Sequence, residues 1–213
     1  MKTIVAKFGG TSVSDEESRE YVYYRLKEFL DQGNKVVVVV SAMGRAPSPY
    51  ATDTLLSLAQ DIDGQDKDRL ISLGETISAI VLGSLLKKKG LDAVILTAEQ
   101  CGIITDSTWQ KANVIGLDPT YLIEMNKQHD IVIVPGFQGM DREKRVTTLG
   151  RGGSDLTAML VATELGLDEV FIYSDVDGVY TKDPRKNPDA KKYVVIDYDE
   201  LLGLIYYGAK VMN

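Results

Sequence analysis

Seven consecutive residues, Lys7-Phe-Gly-Gly-Thr-Ser-Val13, combine a cation, two adjacent glycines and two hydroxyls. Glycines let backbone N–H groups approach an anion closely, and a lysine beside them supplies a full positive charge. The segment follows the apolar run Thr3-Ile-Val-Ala6, read as a strand. It precedes Ser14-Asp-Glu-Glu17, which has the form of a helix capping box. A helix start adds its dipole, so the chemistry suggested is phosphate handling at the mouth of a sheet. A second glycine loop, Gly150-Arg-Gly-Gly-Ser-Asp155, also leads into a helical pattern. Its Arg151 offers a planar fork suited to a carboxylate.

The surrounding pattern must place these loops. Val36-Val-Val-Val-Val40 has no polar alternation, as expected of a strand buried on both faces of a parallel sheet. Ala93–Thr97, Ile131–Val134 and Val170–Tyr173 read alike, with Val194–Ile196 a shorter candidate. Helical patterns lie between, over Glu16–Asp31, Lys67–Lys89, Pro119–Gln128, Asp155–Leu165 and Asp199–Lys210. Gly33, Gly90 and Gly166 mark three helix ends. The expected fold class is α/β, a three-layer helix–sheet–helix sandwich with a mainly parallel central sheet. The turn-rich stretch Gly44–Tyr50 follows a buried strand, where open α/β sheets bind ligands. No linker divides the 213 residues, so one domain is expected, with two lobes around a cleft as an option.

Composition narrows the chemistry. Lys plus Arg is 24 against 31 Asp plus Glu, a formal charge of −7, which disfavours a nucleic-acid surface. One cysteine, Cys101, and one histidine, His129, rule out a disulfide framework and a Cys/His zinc site. No signal pattern or apolar run of membrane-spanning length is evident, so a cytoplasmic protein without a membrane partner is expected. The P-loop and protein-kinase motifs are absent. The second glycine loop ends in Asp155, where a dinucleotide fingerprint needs Gly or Ala, which disfavours hydride chemistry.

Together these segments resemble the aspartate kinases of the amino acid kinase superfamily. Lys7–Val13 is similar to their N-terminal signature. The likeness continues in order through Val40-Ser-Ala-Met-Gly-Arg45, Ser72-Leu-Gly-Glu75 and Pro135-Gly-Phe-Gln-Gly139, then Thr147–Asp155, Tyr173–Tyr180, Asp183-Pro-Arg185 and Gly208-Ala-Lys-Val211. It spans essentially the whole chain.

The resemblance implies roles for named residues. Lys7, Asp155 and Arg151 form the catalytic set. Lys7, Phe8, Gly9, Gly10, Ser41 and Ser154 contact the nucleotide, with Tyr173, Ser174, Asp175, Val179 and Tyr180 on its adenine and ribose side. Lys182, Arg185 and Lys210 lie near the phosphates. Thr11, Ser12, Arg25, Thr52, Glu75, Phe137, Arg151, Gly152, Gly153, Ser154 and Asp155 face the amino-acid acceptor. Glu75 and Asp155 are matched to its amino group and Arg151 to a carboxylate. Taken singly, each has an ordinary alternative: a snorkelling lysine for Lys7, solvated helix positions for Glu75 and Arg25, an N-cap for Asp155 and a plain turn at Asp175–Gly178. No functional reading attaches to Trp109, Cys101 or His129.

The activity implied is ATP-dependent phosphorylation of the β-carboxylate of L-aspartate, with Mg²⁺ and no firm protein ligand to it, the first step towards lysine, threonine and methionine. A carboxylate acceptor needs no general base, and no motif contains histidine. Alternatives are a sibling kinase using acetylglutamate, glutamate, carbamate or UMP, and a non-catalytic ligand-binding relative. The N-terminal part would bind the acceptor and roughly residues 150–213 the nucleotide; a homodimer is left open. Family members usually continue into ACT regulatory domains, whereas this chain ends at Asn213. The expectation is a catalytic domain, either a fragment or a naturally short relative, without feedback inhibition in either case and, for a fragment, with a raised ATP KM relative to a longer chain.

Overall fold

The structure is a computed structural model that describes residues 2–58, 60–175, 178, 180–182, 187–194 and 196. The chain divides into two compact units, Met1–Tyr173 and Ser174–Asn213. In the first, strands β1 (Thr3–Phe8), β2 (Lys35–Val40), β3 (Ala93–Ile95), β6 (Ile131–Pro135) and β9 (Val170–Tyr173) form a sheet in the order β3-β6-β2-β1-β9. Every pairing in it is parallel.

The valine run of β2 shows why this sheet lies in the middle. Val36, Val38 and Val40 pack on one face with Val22, Leu26 and Phe29 of α1 (Glu16–Asp31) and Ala79, Leu82 and Leu86 of α3 (Gly64–Lys88). Val37 and Val39 pack on the other with Leu122 and Met125 of α4 (Thr120–Gln128) and Ala158, Val161 and Ala162 of α5 (Gly153–Glu164). Period-two alternation thus buries both faces, giving the expected three layers. Short α2 (Thr52–Ser57) packs on α3.

A second, mixed sheet was not anticipated. It comprises β4 (Ile103–Thr105), β5 (Val114–Leu117), β7 (Gln138–Asp141) and β8 (Val146–Thr148), in the order β5-β4-β7-β8. Its strands have only three or four residues, too short and too polar to stand out by periodicity. Asp141 braces it: burial alone would raise this carboxyl, but bonds from Arg145, Ser107 and backbone amides bring it down to about 2.

Three sequence expectations change. The cap of α1 is Asp15, whose carboxylate accepts from Ser18 N at 2.8 Å; Ser14 instead donates to Asp15 and to the Thr11 carbonyl. Both residue types cap well, and the charged one takes the position. The Val194–Ile196 strand is not formed at either described residue, and Val194 is exposed. Finally, α3 does contain a stretch long and apolar enough to cross a membrane; half of it is buried, as in a core helix. The helix expected at Asp199–Lys210 lies outside the described residues.

Leu82 is fully buried between α3 and the main sheet. Leu82→Ala should lower the unfolding free energy by about 2–5 kcal/mol, read by urea denaturation.

Candidate active site

Strand register brings four of the sequence motifs to one line. Pro135 pairs with Val40, Val40 with Phe8, and Phe8 with Tyr173, so these strand ends form a single row at the carboxyl edge of the parallel sheet. The loops leaving that row are stitched together by main-chain bonds: Gly9 N to Tyr173 O (2.9 Å), Ser41 N to Phe8 O (3.1 Å), Gly136 N to Val40 O (3.0 Å) and Gly44 N to Gly10 O (2.9 Å). Gly10 could not carry a side chain, because a Cβ there would lie 2.5 Å from Ala42 O and 2.7 Å from Gly44 O.

The first loop does not run straight into α1. Gly10–Val13, which includes Thr11 and Ser12, forms one 3-10 turn, and α1 begins only after Asp15. The N-terminus of α1 is already occupied by the Asp15 carboxylate and followed by Glu16 and Glu17. Its dipole is therefore not offered to a ligand, and anion binding at this loop must rest on glycine amides and Lys7. At the second loop the glycine turn leads directly into a helix. Gly152, at φ 76°, precedes α5, and no side chain caps that helix, leaving its positive end suited to an anionic group.

Lys7 occupies the β1 position whose side chain points towards α5. It is fully buried, and its Nζ lies 2.8 Å from Oδ1 of Asp155 in the first turn of α5. Burial raises the Asp155 carboxyl above its ordinary value, and Lys7 pulls it partly back. Asp155 Oδ2 has no hydrogen-bond partner among the described residues. Asp155 is thus a buried counter-charge and not a helix N-cap.

Glu75 is also no solvated helix residue: it is 3 % exposed. Oε1 accepts from Ala42 N at 3.1 Å, while Oε2 has no partner among the described residues. Burial pushes its pKa up to about 8 from an ordinary 4.5, which the Ala42 bond only partly offsets. A buried carboxyl with one unused oxygen can accept a cationic amino group.

Phe137 sits in the left-handed region at φ 70°, pinned by Thr157 Oγ1 to its N–H (3.2 Å) and by Leu149 N to its carbonyl (2.8 Å). Its ring lies against Gly153. Ser154 is buried next to Asp155, and Arg151 is exposed on the loop. Thr52 opens α2. Arg25 pairs with Glu28 at 2.6 Å and lies over the Tyr173 ring, which stacks on Phe8 at 4.6 Å. Arg25 therefore stands beside Tyr173, a residue the resemblance assigns to the nucleotide.

In the second unit, Tyr180 forms an antiparallel bridge with Lys192, while Asp175 and Lys182 are exposed and Ser174 is half-buried. Val179, Arg185 and Lys210 lie outside the described residues. Two buried residues escaped the sequence reading: Gln138, whose amide reaches Ser72 O, and Asp68, considered below. Cys101 is buried, with its thiol pushed up by desolvation. His129 pairs with Asp92, and Trp109 packs under Arg145. All three keep structural roles.

The model of the amino acid kinase family matches residues 2–213. The chain belongs to the amino acid kinase family. It is 44 % identical to Aspartokinase 1 of Bacillus subtilis and 43 % identical to an aspartokinase of Pseudomonas aeruginosa, in each case over all of this chain and 54 % and 52 % of the relative. It spans about half the length of those relatives. Among solved structures of the family, aspartate kinase from Synechocystis superposes with a TM-score of 0.78 at 39 % identity, over 99 % of this chain and 35 % of that one. Escherichia coli aspartokinase III in complex with aspartate and ADP superposes with a TM-score of 0.80 at 25 % identity, over 100 % and 58 %.

Glu75 gives a signed pH prediction. Below pH 4.5 both folded and unfolded chains hold its proton, and between 4.5 and about 8 only the folded chain does. Its contribution therefore destabilises the fold progressively as pH rises through that window and levels off above it. Glu75→Gln should flatten the decline and be more stable than the parent at pH 9, measured by urea unfolding across pH. The buried pair gives another. Lys7→Met strands the Asp155 charge and should cost roughly 3 kcal/mol at pH 7, a loss limited by proton uptake at Asp155. Lys7→Met/Asp155→Leu should recover most of it; a further, additive loss would refute the coupling.

Proposed function

We propose that the chain is the catalytic portion of an aspartate kinase, transferring the γ-phosphoryl group of ATP to the β-carboxylate of L-aspartate. The observation that carries this reading is the buried Lys7–Asp155 pair, set at the row of strand ends from which the glycine loop, the Ser41 loop and Phe137 emerge. Aspartokinase relatives at 43–44 % identity over the whole chain support aspartate as the acceptor.

In this reading the acceptor carboxylate is itself the nucleophile, so the protein positions groups and stabilises charge. Lys7, held by Asp155, faces the negative charge that grows on the transferring oxygens. Glu75 takes the acceptor's ammonium with the oxygen that has no other partner, giving up its proton as it does so. Arg151 takes a carboxylate, and the Gly9-Gly10 amides lie beside the donor phosphates. Tyr173, Ser174, Asp175, Tyr180 and Lys182 are assigned to the nucleotide on the family resemblance. The close approach at Gly10 leaves the loop backbone bare, which fits a polyphosphate. Mg²⁺ would enter with the phosphates and would neutralise part of their charge. As an ATP-consuming step towards amino acids, the reaction belongs in the cytoplasm.

Incubation with ATP, Mg²⁺ and hydroxylamine should yield hydroxamate with L-aspartate and not with N-acetyl-L-glutamate, and no ADP with UMP. Lys7→Met should cut turnover at least a hundredfold while L-aspartate binding, followed by calorimetry, persists. Turnover with another acceptor only, or with none, would overturn the reading.

A further inference from the structure

Asp68 is fully buried, yet no cation is paired with it among the described residues. It stands on α3 seven residues before Glu75, two helical turns away on the same side. Its carboxylate is bound by backbone amides of two segments distant in sequence. Both oxygens accept from Gln110 N at 3.0 Å, and Oδ2 accepts from Thr148 N at 2.7 Å. Thr148 closes β8, immediately before Leu149, Gly150 and Arg151. Its carbonyl in turn accepts from Ala112 N at 2.9 Å, and Gly150 lies against the Gln110 carbonyl. Gln110 holds a left-handed φ of 65°, a conformation that a bulky residue keeps only when its surroundings fix it.

We infer that Asp68 is a positioning residue for acceptor binding. It fixes the start of the Leu149–Gly152 loop, and hence Arg151 and the first turn of α5, at a set distance from Glu75. The groups assigned to the two ends of the amino-acid acceptor come from different elements, α3 and the β8–α5 loop. A single carboxylate on α3 ties them together. A neutral amide cannot replace it, because an Asn side chain has one acceptor oxygen and turns its NH₂ towards a backbone donor. The inference rests on the aspartate kinase reading for its substrate and on the two hydrogen-bonded segments for its mechanics.

The test separates these. In Asp68→Asn, amide hydrogen exchange should accelerate at Gln110–Ala112 and Thr148–Gly153 while peptides from α1 and β2 keep their parent rates. The KM for L-aspartate should rise about tenfold with the ATP KM unchanged within twofold. Asp68→Glu, which keeps the charge on a longer arm, should move both readouts in the same direction and serves if the Asn variant does not fold. Unchanged exchange at these segments, exchange raised uniformly over the chain, or an unchanged L-aspartate KM overturns the inference. A parent protein that does not turn over aspartate overturns the functional reading instead, and the exchange measurement still decides whether Asp68 holds the loop.

Discussion

The contact between Lys7 and Asp155 governs the layout of this molecule. A lysine on an interior strand, paired with Val39 on one side and Ile172 on the other and shut off from water, is tolerated only with a counter-charge beside it. That requirement brings the first turn of α5 down onto the end of β1 and makes the chain turn sharply through Gly150 and Gly152. As a stability element the pair is poor, since desolvation consumes most of its Coulomb energy. Its value is organisational. On the proposed reading, two charges fixed without water would need no reorganisation as phosphoryl charge develops nearby, the condition under which electrostatic stabilisation of a transition state is largest.

The two helix starts near the glycine loops are electrostatically opposite. Asp15, Glu16 and Glu17 close the end of α1 with negative charge, whereas α5 has no side-chain cap and carries a single acid, Asp155, in its first turn. On the proposed reading, anion affinity is thereby concentrated at the loop that also carries Arg151. On a chain of net charge −7 this concentration matters, because the general field repels phosphates and carboxylates. Glu75 has the reversed sign: its buried carboxyl, raised to about 8 with one oxygen unused among the described residues, is suited on the proposed reading to an ammonium group.

Legibility in the sequence followed the length and purity of each signal. β1, β2, β6, β9, α1 and α4 announce themselves because each is a predominantly apolar run or a full amphipathic helix between turn formers. β4, β5, β7 and β8 do not, since three residues such as Val146-Thr-Thr148 carry no period, and partners far apart in sequence define them. The family resemblance singled out Lys7, Glu75 and Asp155, and the structure shows all three buried. Spacing alone would have left Glu75 a surface carboxylate. Asp68 was missed for a related reason: an acid on a helix normally reads as solvated, and its partners are main-chain amides with no signature in residue type. The offset between Ser14 and Asp15 reflects two good caps side by side, with charge deciding.

α3 is where these threads meet. It packs against β3, β6 and β2 of the main sheet and against β8 of the second, so its inner face is read by both. A glycine in mid-helix costs about 0.5–1 kcal/mol relative to alanine, yet Gly74 stands directly before Glu75. A Cβ there would lie 2.8 Å from the Ala42 Cβ and 2.9 Å from Tyr50 O. The loss of helix propensity is the condition for α3 to press against the loop after β2, and only that approach puts Glu75 within reach of Ala42 N. Asp68 fixes the same helix to the second sheet two turns earlier. Glycine and two buried acids, each unfavourable in an isolated helix, are thus explained by one constraint. The helix must hold the loop after β2 and the loop before α5 at a constant separation, and apolar packing alone, which lacks direction, does not set such a distance.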